Sequence, residues 1–311
     1  MSDHPRQDLP GRVLITGGTG FIGTALAHRC LESGIRVTVL TRDRRRALLH
    51  FRGRVAAVED LAELGADSAP DVIVNLAGKN LASERWNARV RRALIDSRVG
   101  TTQRVIAYIA KAPHRPTLLI SGSAVGYYGA RGDRILTESD PPGDEFQSDL
   151  CRQWEDAALR AKEYGVRVCL SRTGAVMGPG GGPLAGLTPT FRKGLGAVAG
   201  RGDQWISWIH LDDLIDLFLD FMTDRTASGP YNNTAPHPVT NRGLAETLGE
   251  LLHRPVLLRV PGWVLRLLMG GMAHLYLTGQ RVMPERHLRA GRDFRHPDIR
   301  SALQAALAAE S

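Results

Sequence analysis

The sequence predicts an α/β protein, a doubly wound parallel sheet followed by a smaller, mainly helical C-terminal cap. Over the first 130 residues, short apolar runs alternate with longer helical patterns. The runs are apolar nearly throughout, as strands covered on both faces require. Beyond Thr240 the periodicity is mostly helical, and this part of the chain is predicted to form the cap.

The individual elements follow from this alternation. Strands are predicted at 12–16, 36–40, 55–58, 71–76, 117–121 and 167–171, and helices at 21–33, 87–111 and 149–164. A Gly/Pro-rich segment then breaks the pattern, and 207–224 returns to strand and helix. We therefore predict a sheet domain over 11–175, rejoined by 206–235, with a cap formed by 176–205 and 236–311.

Composition excludes several classes of protein. Apolar residues make up 43% and charged residues 23%, the balance of a folded globular chain. The net charge of +8 invites a nucleic-acid interpretation, but the arginines are scattered and no nucleic-acid-binding module is recognisable. Only Arg42 and Arg44 to Arg46 form a tight cluster. We expect no nucleic-acid partner.

Neither a metal site nor a membrane segment is predicted. The cysteines lack metal-ligand spacing and are too few for a disulfide framework; they are Cys30, Cys151 and Cys169. The most apolar late stretch, 256–277, carries Arg259, Arg266 and His274, which indicates an amphipathic helix rather than a span. Because the N-terminus also lacks the apolar run of a signal peptide, we expect a cytoplasmic protein without a membrane partner.

A glycine-rich turn follows the first predicted strand and opens the first predicted helix. Gly17, Gly20 and Gly23 recur at every third position. Glycine is needed where a chain turns tightly, approaches a pyrophosphate, or packs a helix close to a strand. A helix N-terminus offers N–H groups and a positive dipole end to phosphate. The pattern favours a Rossmann-type dinucleotide site over an ordinary tight turn.

The residues after the second strand favour NADP(H) over NAD(H). NAD sites place a carboxylate here for the ribose 2′-hydroxyl, whereas NADP sites place an arginine for the 2′-phosphate. Asp43 is available for NAD, but Arg42 precedes it and three more arginines follow. A guanidinium makes charge-assisted, bidentate hydrogen bonds to phosphate. The alternative for the later arginines is a solvated loop.

Several further motifs give the chain a family resemblance. The motifs are TGGTGFIG at 16–23, VNLAG at 74–78, RWN at 85–87, SAVGYYG at 123–129, WE at 154–155, RTGAVMGPGGG at 172–182, SWIHLDD at 207–213, YNNTAP at 231–236 and GQRVMP at 279–284. With them the chain resembles an extended short-chain dehydrogenase/reductase, most similar to the "epimerase family" branch of nucleoside-diphosphate-sugar epimerases with an extra C-terminal segment.

The resemblance implies a set of cofactor-binding residues. The pyrophosphate loop would comprise Gly17, Gly20, Phe21, Ile22 and Gly23. The 2′-phosphate would be met by Thr41 and Arg42, and the adenosine and its ribose by Leu76, Ala77 and Gly78. Two more residues would face the cofactor from the following helix and near the nicotinamide, namely Arg98 and Val176.

The catalytic residues depart from the superfamily pattern of serine, tyrosine and lysine. Ser123 matches the serine, but the segment 146–155 has neither Tyr nor Lys, and the chain contains no Tyr-x-x-x-Lys. Hydride transfer at carbon needs a proton moved at the attached oxygen. Tyr127 and Tyr128 are the nearest replacements for the missing acid/base.

Other polar residues have two open roles each. His210 either titrates near neutrality or is simply hydrogen-bonded beside Asp212, which can cap a helix. Arg172 binds an anionic substrate group or forms a salt bridge. Glu155 is expected to be a surface charge, and Cys151, at the matched lysine position, a helix-face residue.

Two functions from different classes fit the sequence. The first is an NADP-dependent oxidoreductase or epimerase acting on an unidentified small molecule, with a nucleotide sugar as one candidate. The second, suggested by the missing Tyr-x-x-x-Lys, is an NADP-binding regulatory or structural protein that has lost catalysis. A homodimer is an open possibility for either.

Overall fold

The computed structural model describes residues 9–310, and most of the N-terminal segment examined for a signal peptide lies outside this range. The strands, numbered along the chain, are β1 Arg12–Thr16, β2 Arg36–Leu40, β3 Ala56–Val58, β4 Val72–Asn75, β5 Leu118–Ala124, β6 Ile135–Leu136, β7 Arg167–Thr173, β8 Ala175–Met177, β9 Ala197–Ala199, β10 Trp205–Ile206, β11 Trp208–His210, β12 Gly229–Asn233, β13 Val239–Thr240, β14 Leu258–Val260 and β15 Arg281–Val282. The helices are α1 Phe21–Glu32, α2 Arg44–His50, α3 Ala88–Ile95, α4 Thr101–Lys111, α5 Phe146–Leu159, α6 Leu184–Arg192, α7 Leu211–Thr223, α8 Asn241–Leu251, α9 Gly262–Met269, α10 His274–Leu277, α11 Glu285–Arg289 and α12 Ile299–Ala308.

Seven parallel strands form the central sheet, in the order β12-β7-β5-β4-β1-β2-β3. Their side chains alternate between two apolar layers, as a pleated strand requires. On β1, Val13 and Ile15 pack in one layer and Leu14 in the other. Leu26 of α1 and Phe218 of α7 belong to the first layer, while α4 and α5 supply side chains to the second. The predicted doubly wound parallel sheet is confirmed.

The helix predicted over 87–111 follows one continuous path with a local irregularity. A π-turn at Asp96–Gly100 separates α3 from α4. Such turns insert an extra residue into a helix and occur often at functional sites. Arg98 lies in this turn.

The C-terminal part is mainly helical and has its own apolar core. The indole of Trp208 is fully buried there, packed among side chains of α6, α8 and α12. The strand that carries it, β11, pairs with β8 rather than with the central sheet. From the returning segment, only β12 joins that sheet, and α7 packs on its face. The exact domain boundaries remain a prediction.

The stretch 256–277 is not the single amphipathic helix that its composition suggests. It forms β14, which pairs with β9, then α9 and α10, with a break at Gly270. Pro261 lacks an N–H for the β14 ladder, and Gly270 adopts φ +58°, a left-handed conformation that favours glycine. Among the helices of residues 9–310, none is both long and apolar enough to span a bilayer.

One buried histidine predicts a pH dependence of stability. His287 packs against the rings of Phe221 and Tyr231, and its Nε2–H donates to Asn233 Oδ1 at 2.9 Å. Burial, aided by the charges of neighbouring arginines, lowers the pKa of His287 from 6.5 to about 3. Below about pH 6.5 the unfolded chain binds a proton at this histidine that the folded chain does not bind. The free energy of unfolding is therefore highest above about pH 6.5 and falls as the pH decreases below that value.

We expect acidification from about pH 7.5 to about pH 5 to cost about 2 kcal/mol through His287 alone. Urea unfolding of the wild type and of His287→Gln, which keeps an amide N–H for Asn233, measures this contribution. The variant should lose about 2 kcal/mol less over the interval. Equal losses in the two proteins would contradict the assignment.

Candidate active site

The glycine turn lies at the carboxyl end of β1 and is sterically committed to glycine. Gly17 adopts φ +69°, and a Cβ there would lie 2.9 Å from the carbonyl oxygen of Leu76. A Cβ on Gly23 would lie 2.3 Å from the carbonyl oxygen of Gly17. Gly20 is the N-cap of α1, and no side chain accepts a hydrogen bond at this cap. The first-turn N–H groups are therefore suited to a phosphate.

Two residues of the turn are held by their side chains. The ring of Phe21 lies against the glycine-rich segment after β8, so close that a Cβ on Gly181 would lie 2.1 Å from it. Ile22 packs on the core layer that contains Val176. Phe21 thus joins the loops after β1 and β8, and Ile22 offers only its backbone to a ligand.

The acidic and basic residues that follow β2 differ in whether the protein itself supplies their partners. Asp43 caps α2, its Oδ1 accepting from Arg46 N at 2.8 Å, and Thr41 Oγ1 bridges to the Asp43 backbone at 3.2 Å. Arg44 forms an ion pair with Glu63. Arg42 is exposed and has neither a hydrogen bond nor an ion pair within residues 9–310. Its guanidinium is therefore available to a ligand.

The end of β4 is tied to β1 and lies against a partly buried cation. Ala77 N donates to Thr16 Oγ1 at 3.1 Å, and the side chain of Leu76 packs on the core. Gly78 lies directly over Arg98, where a Cβ would be 3.0 Å from the guanidinium carbon. The guanidinium faces the ring of Trp154 at 5.4 Å.

Arg98 has no acidic partner in the described part of the chain. Its Nη1 donates only to the Leu94 carbonyl, at 3.3 Å, and none of the ion pairs within residues 9–310 includes it. Burial lowers the pKa of Arg98, yet an arginine stays protonated. An uncompensated cation at this depth favours an anionic or hydroxyl-rich ligand.

Ser123 belongs to a buried ionic network at the end of β5. Its Oγ donates to Glu155 Oε1 at 2.6 Å, and Arg172 donates to both Glu155 oxygens at 2.8 Å. Arg172 Nη1 also donates to Tyr128 Oη at 3.0 Å, which in turn donates to Asn232 Oδ1 at 2.6 Å. Each of these side chains is less than a tenth exposed.

The network corrects the expectation for Glu155, which is 5% exposed rather than a surface charge. It also resolves Arg172 as a salt-bridge residue. Sequence reasoning missed two members of the network, Asn232 and Glu138. Glu138 Oε1 accepts a hydrogen bond from Asn232 N at 3.1 Å. The YNNTAP motif at 231–236 was the available signal.

The two adjacent tyrosines have different environments. Tyr128 is fully buried, and burial raises its pKa to about 12. Tyr127 is only partly buried, and its ring lies 3.5 Å from the guanidinium carbon of Arg172. Burial also raises the pKa of Tyr127, although the Arg172 charge opposes this. Of the two, Tyr127 is the one a ligand can reach.

Cys151, which the resemblance aligns with a lysine, carries no charge. The thiol is buried and lies 3.8 Å from the Ala124 carbonyl oxygen. Burial, followed by the negative charge of Glu155, raises the pKa of Cys151 to about 11. The position therefore holds a neutral thiol at physiological pH.

His210 is a helix cap and does not titrate near neutrality, contrary to one of its two predicted roles. Its Nδ1 accepts from Asp212 N at 3.2 Å, so the histidine rather than the aspartate caps α7. Burial, followed by the neighbouring His296, lowers the pKa of His210 to about 4. Asp213 accepts from the backbone N–H groups of Arg295 and His296.

Two family models match the sequence of this chain. The profile of the NAD dependent epimerase/dehydratase family matches residues 13–233, and that of a domain of unknown function matches 260–306. The chain is 37% identical over 299 residues to the chloroplastic epimerase family protein SDR39U1 homolog of Arabidopsis thaliana, covering 94% of this chain and 86% of that one.

Two solved structures are similar to this chain over nearly all of its length. The human epimerase family protein SDR39U1, crystallised with NADPH, is 34% identical with a TM-score of 0.86, over 96% of this chain and 99% of that one. A nucleoside-diphosphate sugar epimerase from Corynebacterium glutamicum is 32% identical with a TM-score of 0.77, over 98% of this chain and 61% of that one. With its parallel sheet, glycine turn and C-terminal segment all matched, the chain belongs to the NAD dependent epimerase/dehydratase family.

Proposed function

We propose that this protein is an NADP(H)-dependent oxidoreductase or epimerase acting on a small molecule. One observation carries the proposal: the glycine turn, the unpartnered Arg42, Ser123 and Tyr127 all lie at or just beyond the carboxyl ends of strands, along the same edge of the sheet. Ligands of open α/β sheets bind at the carboxyl ends of the strands. The alignment of cofactor-type and acid/base-type residues along one edge supports a hydride-transfer site.

The choice of NADP(H) rests on the end of β2. An NAD site needs a carboxylate for the ribose hydroxyl, but the Asp43 carboxylate is engaged as the cap of α2. Arg42 is exposed and unpaired within residues 9–310, and its guanidinium matches the geometry of a phosphate. The NADPH in the human relative's crystal structure supports the same choice.

The remaining cofactor contacts are assigned by the same reasoning. The glycine turn and the helix start, Gly17 to Gly23, would hold the diphosphate, and Thr41 would assist Arg42. Leu76, Ala77 and Gly78 would line the adenosine side. Arg98, a partly buried cation beside Gly78, would bind the cofactor's anionic or hydroxyl groups, with Val176 toward the nicotinamide.

When bound, a nicotinamide supplies or accepts a hydride. The chain must then move the accompanying proton at the substrate oxygen. We assign this role to Tyr127, which is only partly buried and whose ring lies 3.5 Å from the Arg172 guanidinium carbon. Because burial raises its pKa, the phenol is protonated at neutral pH and would donate the proton to the substrate oxygen. Ser123 donates its hydroxyl proton to Glu155, which leaves its lone pairs to accept a hydrogen bond from a substrate hydroxyl.

A nucleotide sugar is the first substrate class to test. The relative from Corynebacterium glutamicum, 32% identical, is described as a nucleoside-diphosphate sugar epimerase. Oxidation and reduction at a sugar hydroxyl uses the same proton and hydride exchange described above.

Phenylalanine substitutions of the adjacent tyrosines test the assignment. In an assay of NADPH absorbance and product stereochemistry across a panel of nucleotide sugars and small carbonyl compounds, Tyr127→Phe should lower kcat about a hundredfold or more. Its melting temperature and NADPH affinity should be unchanged. Tyr128→Phe should keep kcat within a few-fold of the wild-type value. It should lose about 1–3 kcal/mol of unfolding free energy, because Asn232 and Arg172 each lose their buried hydrogen bond to the Tyr128 hydroxyl. Full activity of Tyr127→Phe would contradict the role.

A catalytically degenerate NADP-binding regulator is the second candidate. It is favoured by the burial of Ser123 and Tyr128 in one ionic network and by the neutral thiol of Cys151 at the lysine position. It predicts tight NADPH binding with no turnover on the panel. It also predicts that Tyr127→Phe complements a deletion strain fully, whereas Arg42→Glu fails to do so. Measurable turnover that Tyr127→Phe abolishes would exclude it.

A further inference from the structure

An exposed apolar surface in the C-terminal part takes no role in the site described above. We propose that it docks the protein onto an anionic membrane surface. We define the apolar face as the exposed large side chains of β14, the residue preceding it, and α9: Leu257, Leu258, Trp263, Leu267 and Leu268. The inference is independent of the proposed function.

The apolar face is uncovered to an unusual degree. Leu257 is 85% exposed, Trp263 and Leu267 are each 67% exposed, and Leu268 is 63% exposed. Trp263 and Leu267 are four residues apart and therefore share one side of α9. None of the residues of α9 is buried by the rest of the chain. Large apolar side chains left exposed together on one short segment indicate an interaction site on a folded protein.

The segment that carries the apolar face has charged residues of one sign only. From residue 251 to 284 the sequence contains no Asp or Glu, yet it contains four arginines, Arg254, Arg259, Arg266 and Arg281. Arg254 and Arg259 donate to backbone carbonyls, and none of the four joins an ion pair within residues 9–310. Asp203 lies close enough to Arg259 for that charge to help lower the pKa of the Asp203 carboxyl, but it pairs directly with Arg201. The segment therefore has an excess of positive charge.

This combination fits a lipid surface better than a second copy of the chain. A twofold interface uses the same patch on both subunits, so it would bring uncompensated arginines against one another. Anionic headgroups instead attract the arginines, while tryptophan and leucine enter the boundary between headgroups and acyl chains. An eight-residue α9 would lie along the surface and not cross it.

Docking would also place the carboxyl edge of the sheet beside the lipid. Gly270, the residue after α9, pairs with Trp86 in an isolated bridge after β4. A little further on, His274 Nε2 lies 2.8 Å from Glu145 Oε2, just before α5. The segment that carries the apolar face thus adjoins the loops of the sheet's carboxyl edge. Composition alone predicted no membrane partner, because it could not show that these side chains remain uncovered.

Co-sedimentation of the full chain with vesicles tests the proposal. Binding to vesicles containing phosphatidylglycerol should exceed binding to pure phosphatidylcholine at least about tenfold, and should weaken as salt rises. The double variant Trp263→Glu/Leu267→Glu should lose this binding with an unchanged melting temperature. Leu49→Glu, at a site 70% exposed on α2, is the matched control and should bind like the wild type.

Three results would overturn the proposal. The first is equal binding to both kinds of vesicle, and the second is retained binding by the double glutamate variant. The third is a dimer in sedimentation velocity that Trp263→Glu/Leu267→Glu converts to monomer while vesicles bind neither protein. That last result would assign the apolar face to a second copy of the chain.

Discussion

Arg42→Glu is expected to lower the affinity for NADPH about a hundredfold or more while leaving the affinity for NADH within a few-fold. The substitution removes the proposed charge-assisted contact to the 2′-phosphate and places a negative charge beside that group. The change is about 3 kcal/mol, and each 1.4 kcal/mol is a factor of ten. Stability should not change, because Arg42 has no partner within residues 9–310.

Isothermal titration calorimetry with both nucleotides measures the effect. Arg45→Glu is the matched control, since it changes the same charge at an exposed position three residues further along, and it should shift the NADPH affinity by less than about tenfold. If Arg42→Glu binds NADPH as tightly as the wild type, the extra phosphate is recognised elsewhere.

Arg172→Met should cost about 3–5 kcal/mol of unfolding free energy. Arg172 and Glu155 are 4% and 5% exposed, and the substitution leaves the Glu155 carboxylate buried without its cation. Tyr128 also loses the donor to its hydroxyl. Breaking a buried pair by removing one partner is far more damaging than removing both, because the remaining charge has no solvent and no counter-ion.

The double variant Glu155→Leu/Arg172→Met separates these effects. It removes the stranded charge together with its partner and should recover most of the loss seen in Arg172→Met. Urea unfolding of the two variants and the wild type provides the comparison. A loss below about 1 kcal/mol in Arg172→Met, or a double variant no more stable than the single one, would show that the network is not a buried ion pair in solution.

Features encoded locally were predictable from the sequence. The strands at 12–16 and 36–40 were predicted with the limits that the structure has, because buried parallel strands are short, continuous apolar runs. The glycine turn was equally visible from the spacing of Gly17, Gly20 and Gly23, and one of its steric requirements is local, because a Cβ on Gly23 would meet the carbonyl oxygen of Gly17. The close approach of Gly17 to Leu76, in contrast, is seen only in the folded chain.

Features that depend on distant partners were not predictable. Glu155 looks like a charge on an amphipathic helix, and only Arg172, arriving on β7, makes its burial possible. Tyr127 and Tyr128 are adjacent in sequence, but a 3₁₀ turn at Val125–Tyr128 directs the second into the network with Asn232. Periodicity alone contains no information about which of two consecutive tyrosines finds a partner a hundred residues away.

The most direct test of NADP(H) binding at the carboxyl edge of the sheet is a calorimetric titration of the wild-type chain with NADPH and, separately, with NADH. We predict one site per chain and an NADPH affinity at least about tenfold greater than that for NADH. Binding of neither nucleotide at millimolar concentration, or of NADH as tightly as NADPH, would contradict the assignment of the glycine turn and Arg42.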